Sequence, residues 1–345
     1  MARFRTLITV LAGAAVLSLA ACGGDDDDAA TGDSAASGGS TDQKEVRIAH
    51  FMVGGASSFA QAQADGAKEA ADAANASVKV FDPNFDPAKQ LNQVQDALAS
   101  GEYDGFLIHA ADANVVLPVI KEAIADGVKV VAVFNPMGPD LTTLEPQIDG
   151  LTSTVASSIP GSGEQIGHLI VDACEGKDPC QVAFEPCVAS LPLDGARLDG
   201  VESVLSEASN VKLVSKQDGQ CNREEGLKVS QNILQANPDL QVIATAGDQS
   251  TLGAEQAVKS AGKEGKVALI GNGASKPGVA AVQDGRWVGT VALLPFTEGK
   301  AGAEALIKAI RGEDVPTVID SAELSPVGPV VTQDNAADFE AEWDG

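Results

Sequence analysis

The hydrophobic positions between residues 78 and 135 follow two different periods. Short runs at 78–81, 105–109 and 128–134 alternate with two segments in which apolar residues recur at helical spacing, Leu91 and Val94 in the first and Val115 and Val119 in the second. The short runs are apolar throughout, which is typical of strands that helices cover on both faces in a parallel sheet. Strands that alternate with helices of this length predict βαβ units.

The same alternation returns after residue 160 and predicts a second unit of the same kind. Residues 136–159 lack periodicity and indicate a crossing between two lobes. Expected strands of the later part lie at 181–185, 211–215, 241–246, 266–270 and 288–294, a first strand lies at 45–50, and a final helix lies at 298–310. An extended segment at 318–331 then runs back, so that the chain crosses several times between the two lobes. We predict an α/β fold of two Rossmann-like lobes with parallel sheets joined by a multi-crossing hinge.

The sequence pattern predicts five parts of the chain. They are a lipoprotein signal peptide at 1–21, a lipidated Cys with a disordered tether at 22–44, a first lobe at 45–148 plus 295–320, a second lobe at 149–294 plus 321–332, and a tail at 333–345. A length of 345 residues suits two lobes better than one core.

The amino-terminal segment predicts export and membrane anchoring. Arg3 and Arg5 precede an apolar run at 7–21 that is short for a membrane span and suits a signal peptide. The run ends in Leu-Ala-Ala-Cys, which resembles the bacterial lipobox and implies lipidation of Cys22. The alternative is an ordinary signal peptide with a chance Cys. The polar tract that follows cannot bury apolar surface, so we expect a disordered tether and an extracytoplasmic lipoprotein on the cell membrane.

Charge and composition exclude one class of partner. The formal net charge is −26 and the apolar share is 44%. Binding to nucleic acid needs clustered Lys and Arg, so we expect no nucleic-acid partner. Aromatic residues make up only 4% of the chain while Ala and Gly are abundant, so helices are expected to pack closely.

Position alone marks three candidate site residues. Ligands of open α/β sheets bind beyond the carboxyl ends of the strands. His109, Phe134 and Asn135 lie at such ends in the predicted first sheet. They are therefore candidates before any chemistry is considered.

Four motifs resemble a known family. They are Asp-Pro-Ala-Lys-Gln-Leu-Asn-Gln at 86–93, Tyr-Asp-Gly-Phe-Leu-Ile at 103–108, Gln-Asn-Ile-Leu-Gln-Ala-Asn-Pro-Asp at 231–239 and Leu-Gly-Ala at 252–254. Together they resemble the type I periplasmic solute-binding proteins of the ribose and galactose group over residues 46–312. The resemblance implies the substrate-binding component of an ABC importer, whose lobes close over a small solute and present it to a permease. Gene regulators share this fold but begin with a DNA-binding segment, whose place the predicted signal and tether take.

The resemblance also assigns positions in the cleft. In sugar-binding relatives an aromatic residue opens the first helix, an Asn or Asp ends the third strand and an Asp-Arg pair ends the fourth. The matching positions of the first lobe are Phe59, His109 and Phe134-Asn135; those of the second are Gly195, Cys221-Asn222-Arg223, Gly247-Asp248, Asn272-Gly273 and Leu293. Most charged and amide groups that hold sugar hydroxyls in relatives are therefore missing.

The residues that remain predict a neutral, sugar-like or cyclic solute. A buried anion needs a cationic partner, and these positions contain no Lys or Arg that replaces the missing pair. An apolar ring face can stack on aromatic residues while a few polar groups fix its orientation. The expected ligand-binding set is Ser57, Phe59, His109, Asp112, Phe134, Asn135, Asn222, Asp248 and Asn272.

Several of these residues also have a purely structural interpretation. Phe59 and Phe134 are compatible with core packing, Asp248 with capping of a helix that begins near Ser250, and His109 with a loop hydrogen bond. His50 and His168 lack metal-ligand spacing, so we expect no metal site.

Four cysteines of the body form an even set in an exported chain. Three pairings are possible for Cys174, Cys180, Cys187 and Cys221. We favour Cys174 with Cys180, and Cys187 with Cys221, because the last two follow strands that we expect to be neighbours. Free thiols and a zinc site are the alternatives.

No motif predicts catalysis or a cofactor. The glycine-rich stretch at 161–167 has the wrong spacing for a dinucleotide fingerprint. We expect a monomeric binding protein that is not an enzyme, with a small neutral solute and an ABC permease as partners. A tethered sensor for a membrane receptor is the alternative, and a hydrolase on the same fold is a third.

Overall fold

Two largely parallel sheets form the centre of the structure, a computed structural model that describes residues 44–345. The predicted signal peptide, Cys22 and nearly all of the predicted tether lie outside the described residues. The first sheet contains β1 (Val46–Phe51), β2 (Ala76–Phe81), β3 (Gly105–Ile108), β4 (Lys129–Phe134), β5 (Ser153–Ala156) and β11 (Val318–Asp320). The second contains β6 (Cys180–Glu185), β7 (Val211–Lys216), β8 (Leu240–Thr245), β9 (Ala268–Gly273), β10 (Gly289–Ala292) and β12 (Val330–Thr332).

The strand orders show the crossover pattern of a doubly wound fold. The first sheet has the order β11-β5-β4-β3-β1-β2, and every pairing in it is parallel. The second has the order β12-β10-β9-β8-β6-β7, in which only β12 runs antiparallel to its neighbour. The predicted α/β fold with two parallel-stranded lobes is confirmed.

Helices cover both faces of each sheet. They are α1 (Ser58–Asp72), α2 (Pro87–Ser100), α3 (Ala113–Ala125), α4 (Ile159–Ala173), α5 (Pro192–Ser206), α6 (Arg223–Ala236), α7 (Asp248–Ser260), α8 (Lys276–Gln283) and α9 (Pro295–Ile310). The first sheet lies between α1 with α9 and α2 with α3; the second lies between α4 with α5 and α6 to α8. Within residues 44–345, none of them has both the length and the apolar composition needed to cross a membrane.

Burial on both faces explains why the strands are apolar throughout. In β4, Val131 and Val133 pack towards α9, whereas Val130 and Ala132 pack towards α3. Successive side chains of a strand point to opposite faces of the sheet. When helices cover both faces, no position of the strand faces solvent, and apolar side chains are favoured at every position.

Local signals set the helix ends. Asp86 caps α2, because its side chain accepts hydrogen bonds from the backbone N–H groups of Ala88 and Lys89, and Pro87 occupies the first turn. Helices α4, α5 and α9 begin at Ile159, Pro192 and Pro295, earlier than the sequence pattern predicts, which places their starts at 164, near 195 and at 298. In each case a proline in the first turn fixes a helical φ before the hydrophobic period becomes visible.

One strand and one boundary differ from expectation. Strand β5 pairs with β4, so the first sheet continues beyond residue 148, where the sequence analysis ends the first lobe. The strand has four residues, and two of them are Ser153 and Thr154, which are fully buried. Hydroxyl side chains in so short a strand leave no apolar run, and the sequence pattern therefore missed it.

The chain connects the two lobes three times within the described residues. It leaves the first sheet after β5 for α4, returns from β10 to α9, and leaves again from β11 for β12. Three connections side by side allow the lobes to rotate about them without unfolding either core.

Glycine lets the covering helices approach each other closely, as the composition predicted. A Cβ atom on Gly299 of α9 would lie 1.9 Å from the carbonyl oxygen of Gln63 in α1. Gly66 of α1 has the same relation to the carbonyl oxygen of Phe296. The backbones of α1 and α9 are therefore in direct contact.

We predict that Gly299→Ala lowers the free energy of unfolding by at least about 1–3 kcal/mol, because the added methyl group forces the two helices apart. Gly195→Ala in α5 is the matched control, since a Cβ atom there meets nothing within 4 Å. We expect the control to be neutral or to stabilise by up to about 1 kcal/mol. Urea unfolding of both variants measures the difference, and equal midpoints would refute close packing at Gly299.

Two glutamates are fully buried, one in each lobe. Burial raises the pKa of Glu298 and of Glu185 to about 8, although Ser321 and Ser230 respectively donate hydrogen bonds to them. Burial also lowers the pKa of His50 to about 4 and that of His109 to about 3. The interior therefore favours the uncharged form of each of these side chains.

These shifts predict the pH dependence of stability. A carboxyl group with a raised folded-state pKa holds its proton more tightly when folded, so the free energy of unfolding falls as pH rises from about 4.5 to about 8. One such group contributes a slope of about 1.4 kcal/mol per pH unit. Glu298→Gln should flatten the slope, and adding Glu185→Gln should flatten it further because the two sites are far apart.

Urea unfolding at several pH values between 5 and 8 measures this slope. A Glu298→Gln protein that keeps the wild-type slope would contradict the prediction. Between pH 6.5 and about 4.5 the two histidines act in the opposite direction and offset the two glutamates, so the wild-type slope is expected mainly between pH 6.5 and 8. Below about pH 4.5 the histidine contribution remains, and stability should fall as the solution becomes more acidic.

Candidate functional site

Three of the expected residues meet at the carboxyl edge of the first sheet. His109 follows β3, Phe134 ends β4 and Phe59 lies in the first turn of α1. The ring centroids of Phe59 and Phe134 are 5.2 Å apart, and those of His109 and Phe134 are 4.6 Å apart. We call Phe59, His109 and Phe134 the aromatic cluster.

His109 is an uncharged polar group within this cluster. Its side chain is 7% exposed, and its Nδ1 lies 3.2 Å from Oε1 of Gln63. An amide oxygen only accepts, so this contact places the proton on Nδ1. Burial, helped by the nearby His50, lowers the pKa of His109 to about 3. The cluster therefore has no positive charge at neutral pH.

Gln90 fixes the edge of the sheet beneath the cluster. Its amide nitrogen donates to the carbonyl oxygens of Met52 and His109, and its oxygen accepts from the backbone N–H of Ala111. One fully buried side chain thus joins the ends of β1 and β3. The motif at 86–93, which contains Gln90, holds the fold in place rather than supplying a ligand group.

The end of β4 has an unusual backbone. Phe134 has φ +71°, a left-handed conformation that costs a non-glycine residue about 1–2 kcal/mol. The following Asn135 donates from Nδ2 to the carbonyl oxygen of Ala110 at 3.4 Å. Its Oδ1 is buried and has no hydrogen-bond partner within residues 44–345. This oxygen is a free acceptor beside the cluster.

Three other expected residues are helix caps. Ser57, Asp112 and Asn222 precede α1, α3 and α6, and each side chain accepts hydrogen bonds from the first turn of its helix. Asp112 and Asn222 are exposed. Ser57 and Asn222 also line a cavity that is described below.

The two remaining expected residues make internal contacts. Asp248 has no exposed surface, and its carboxylate accepts from the hydroxyl groups of Ser275 at 2.7 Å and Thr290 at 2.8 Å. Burial raises its pKa. It is the first residue of α7 rather than its cap. Asn272 is 2% exposed and bonds to Ser162 and to the carbonyl oxygen of Ala246.

The sequence analysis missed one aromatic residue at the cluster. Trp343 belongs to the expected tail, yet its ring centroid lies 5.5 Å from that of Phe59. Its Nε1 donates to the carbonyl oxygen of Gly273 at 2.8 Å. The rarity of tryptophan, two residues in the chain, was a signal, but no periodicity connects it to the cluster.

A large open cavity lies between the lobes. Its volume is about 1370 Å³, and we call it the outer cavity. The first lobe contributes Ala56, Ser57, Ser58 and Phe85, the second contributes residues of 220–286, and Asp344 and Gly345 complete the wall. Three of these second-lobe residues are cationic, Arg223, Lys259 and Arg286, and the sequence analysis places only Arg223 in the cleft. Arg286 forms ion pairs with Glu255 and Asp284.

Both favoured cysteine pairs are disulfides in the structure. Cys174 bonds to Cys180 within the second-lobe core, and Cys187 bonds to Cys221. Cys221 lines the outer cavity, and its sulfur would lie 2.5 Å from a Cβ atom on Gly247. The second disulfide therefore holds the loop that precedes α6 against the end of β8.

Residues 44–345 contain no group of His, Cys, Asp and Glu side chains arranged to hold a metal ion. The buried Arg197 forms an ion pair with Asp194 at 3.0 Å. Asp194 in turn accepts from the backbone N–H groups of Cys187 and Val188. This ion pair shapes a loop of the second lobe.

Comparison with known proteins agrees with this architecture. The family model described as periplasmic binding protein domain matches residues 48–314. The ribose import binding protein of Salmonella typhimurium is 30% identical over 253 residues, 73% of this chain and 80% of the relative. The xylitol-binding protein of Mycolicibacterium smegmatis is 27% identical over 325 residues, 94% of this chain and 84% of the relative.

A solved structure is similar as well. An ABC transporter solute-binding protein from Mycobacterium smegmatis with bound glycerol has a TM-score of 0.75 and 26% identity, and the match covers 87% of this chain and 99% of that one. The match to the family model extends over most of the chain and includes both sheets. The chain therefore belongs to the periplasmic binding protein family, as a type I member of the ribose and galactose group.

Proposed function

We propose that this protein is the extracytoplasmic solute-binding component of an ABC importer and that it binds a neutral, sugar-like or cyclic solute between its lobes. The observation that carries the proposal is the aromatic cluster at the carboxyl edge of the first sheet. Parallel α/β sheets bind ligands at this edge. The curated relatives are named for ribose and xylitol, and the similar structure contains glycerol, all of them neutral polyhydroxy compounds.

The chemistry of the cluster favours a solute without charge. Phe59 and Phe134 present apolar ring faces that suit the C–H face of a sugar ring. His109 is neutral because burial lowers its pKa to about 3, so it exchanges hydrogen bonds without attracting an anion. The free Oδ1 of Asn135 accepts a hydrogen bond from a hydroxyl group. A buried anion would find no cationic partner in this set.

Binding is coupled to closure of the cleft. The three connections between the lobes form the hinge, and contacts made by both lobes exist only in the closed form. A solute that touches both lobes therefore shifts the population towards that form. The permease would recognise the closed protein.

In this proposal the amino-terminal segment determines where in the cell envelope the protein is located. Lipidation of Cys22 would hold the protein at the outer face of the cell membrane, and the tether would let a monomeric body reach the permease. The anchor is the only membrane contact that the proposal requires.

The proposal predicts which solute purified protein releases. Mass spectrometry of the released small molecules, followed by thermal-shift titration, should identify a neutral sugar or polyol. Phe59→Leu should weaken its binding by about tenfold because the ring face is lost, whereas Phe59→Tyr keeps the ring and should bind within about threefold of wild type. Recovery of a phosphorylated or strongly acidic solute would contradict the proposal.

Anchoring is tested separately in a bacterial host that is fed labelled palmitate. Wild-type protein should incorporate the label and sediment with membranes, whereas Cys22→Ser should do neither, because the thiol that receives the lipid is gone. Ser34→Ala in the tether is the control and should behave like wild type. Label retained on Cys22→Ser protein would rule out this anchor.

A further inference from the structure

The segment 339–345, which we call the strap, is attached to both lobes. In the second lobe Phe339 is buried in the core, and the backbone N–H of Lys276 donates to the carbonyl oxygen of Trp343 at 2.9 Å. In the first lobe the carboxylate of Glu342 accepts from the backbone N–H of Thr297 at 3.1 Å and from its hydroxyl group. The strap therefore bridges the cleft.

Trp343 fills the space between the lobes at the aromatic cluster. Its indole makes an edge contact with Phe59 at an interplanar angle of 80° and bonds to the carbonyl oxygen of Gly273. A Cβ atom on Gly273 would lie 2.6 Å from Cζ2 of Trp343, so the glycine leaves room for the indole. Phe59 belongs to the first lobe and Gly273 to the second. Trp343 thus contacts both lobes, as a solute bound in a closed cleft would.

The strap separates the cluster from the outer cavity. Asp344 and Gly345 line the cavity, whereas Trp343, the residue before them, is only 3% exposed. Little of the indole surface is left for a solute to stack against, and its N–H is already bonded. Trp343 therefore acts as an occupant of this space rather than as a wall of an open site.

The last two residues of the strap, Asp344 and Gly345, are held weakly. The ion pair between Lys276 and Asp344 joins side chains that are 61% and 75% exposed, and exposed pairs contribute little to stability. Ser58 donates to the carbonyl oxygen of Gly345 at 3.3 Å, near the limit for a hydrogen bond. Phe339, by contrast, is anchored in the core. Between Phe339 and these last residues the strap is held by the contacts of Glu342 and Trp343, which are the contacts that a solute has to replace.

We propose that Trp343 is an affinity-determining residue of the solute site, which occupies the place beside Phe59 until a solute displaces it. The inference rests on the proposed function for the identity of the site. It extends that function because Trp343 contacts both lobes and would compete with a solute for the place beside Phe59. Binding then replaces the contacts of the indole with those of a sugar ring. The measured free energy of binding is therefore the difference between the free energies of these two sets of contacts.

The first experiment needs no solute. Small-angle X-ray scattering compares full-length wild type, Trp343→Ala and Glu340→Ala, all freed of bound small molecules by unfolding and refolding. Trp343→Ala should have a larger radius of gyration because the contact between the lobes is lost. Glu340 is an exposed residue of the same strap, so its variant should match wild type. Equal radii for wild type and Trp343→Ala would overturn the proposal.

The second experiment is calorimetric titration of the same proteins with D-ribose, D-allose and xylitol. Trp343→Ala should bind at least about tenfold more tightly than wild type, since no indole has to be displaced. Glu342→Ala removes an anchor and keeps the indole, so it should tighten binding in the same direction by a smaller factor. Weaker binding by Trp343→Ala would overturn the proposal, because it would make the indole a ligand contact.

The two experiments separate this inference from the proposed function. If none of the three compounds binds to wild type or to Trp343→Ala, sugar binding fails, and the scattering comparison alone decides the role of the strap. If sugars bind to both with equal affinity, the proposed function stands and the strap does not compete.

Discussion

Burial of each sheet on both faces is the constraint from which the rest of the structure follows. Strands such as β4 have apolar side chains on both sides because α1 with α9 and α2 with α3 exclude water from them. Two helices fit side by side on one face only if their backbones come close, which Gly66 and Gly299 allow. The central strands pair with neighbours on both sides, so polar and aromatic groups of the sheet are concentrated at the carboxyl ends of the strands, where α/β sheets bind ligands.

A chain of buried hydrogen bonds connects the candidate site to a connection between the lobes. His109 bonds to Gln63, Gln63 donates to Glu298 at 3.4 Å, and Ser321 donates to Glu298 at 2.7 Å. Ser321 follows β11, where the chain leaves the first lobe for the second. Burial keeps His109 and Glu298 in their uncharged forms. The surroundings of the cluster are therefore polar without being charged, in agreement with a neutral solute.

The strap gives the cleft a partner from within the chain. Closed binding proteins need contacts with both lobes, and here Trp343 makes them with Phe59 and Gly273. The glycine at position 273 accommodates the indole, because a Cβ atom there would lie 2.6 Å from Cζ2 of Trp343.

The sequence by itself determined the fold class, the parallel strands, most helices and the strand-end positions of His109 and Phe134, because these depend on local periodicity and short connections. It favoured both cysteine pairs without excluding the other pairings. It could not find β5, whose buried Ser153 and Thr154 carry no hydrophobic signal. Only the tertiary structure decided that Asp248 bonds within the second lobe and that Trp343 joins Phe59. Those contacts join residues far apart in the chain, and the pattern of hydrophobic and polar positions records burial, not the partner against which a side chain is buried.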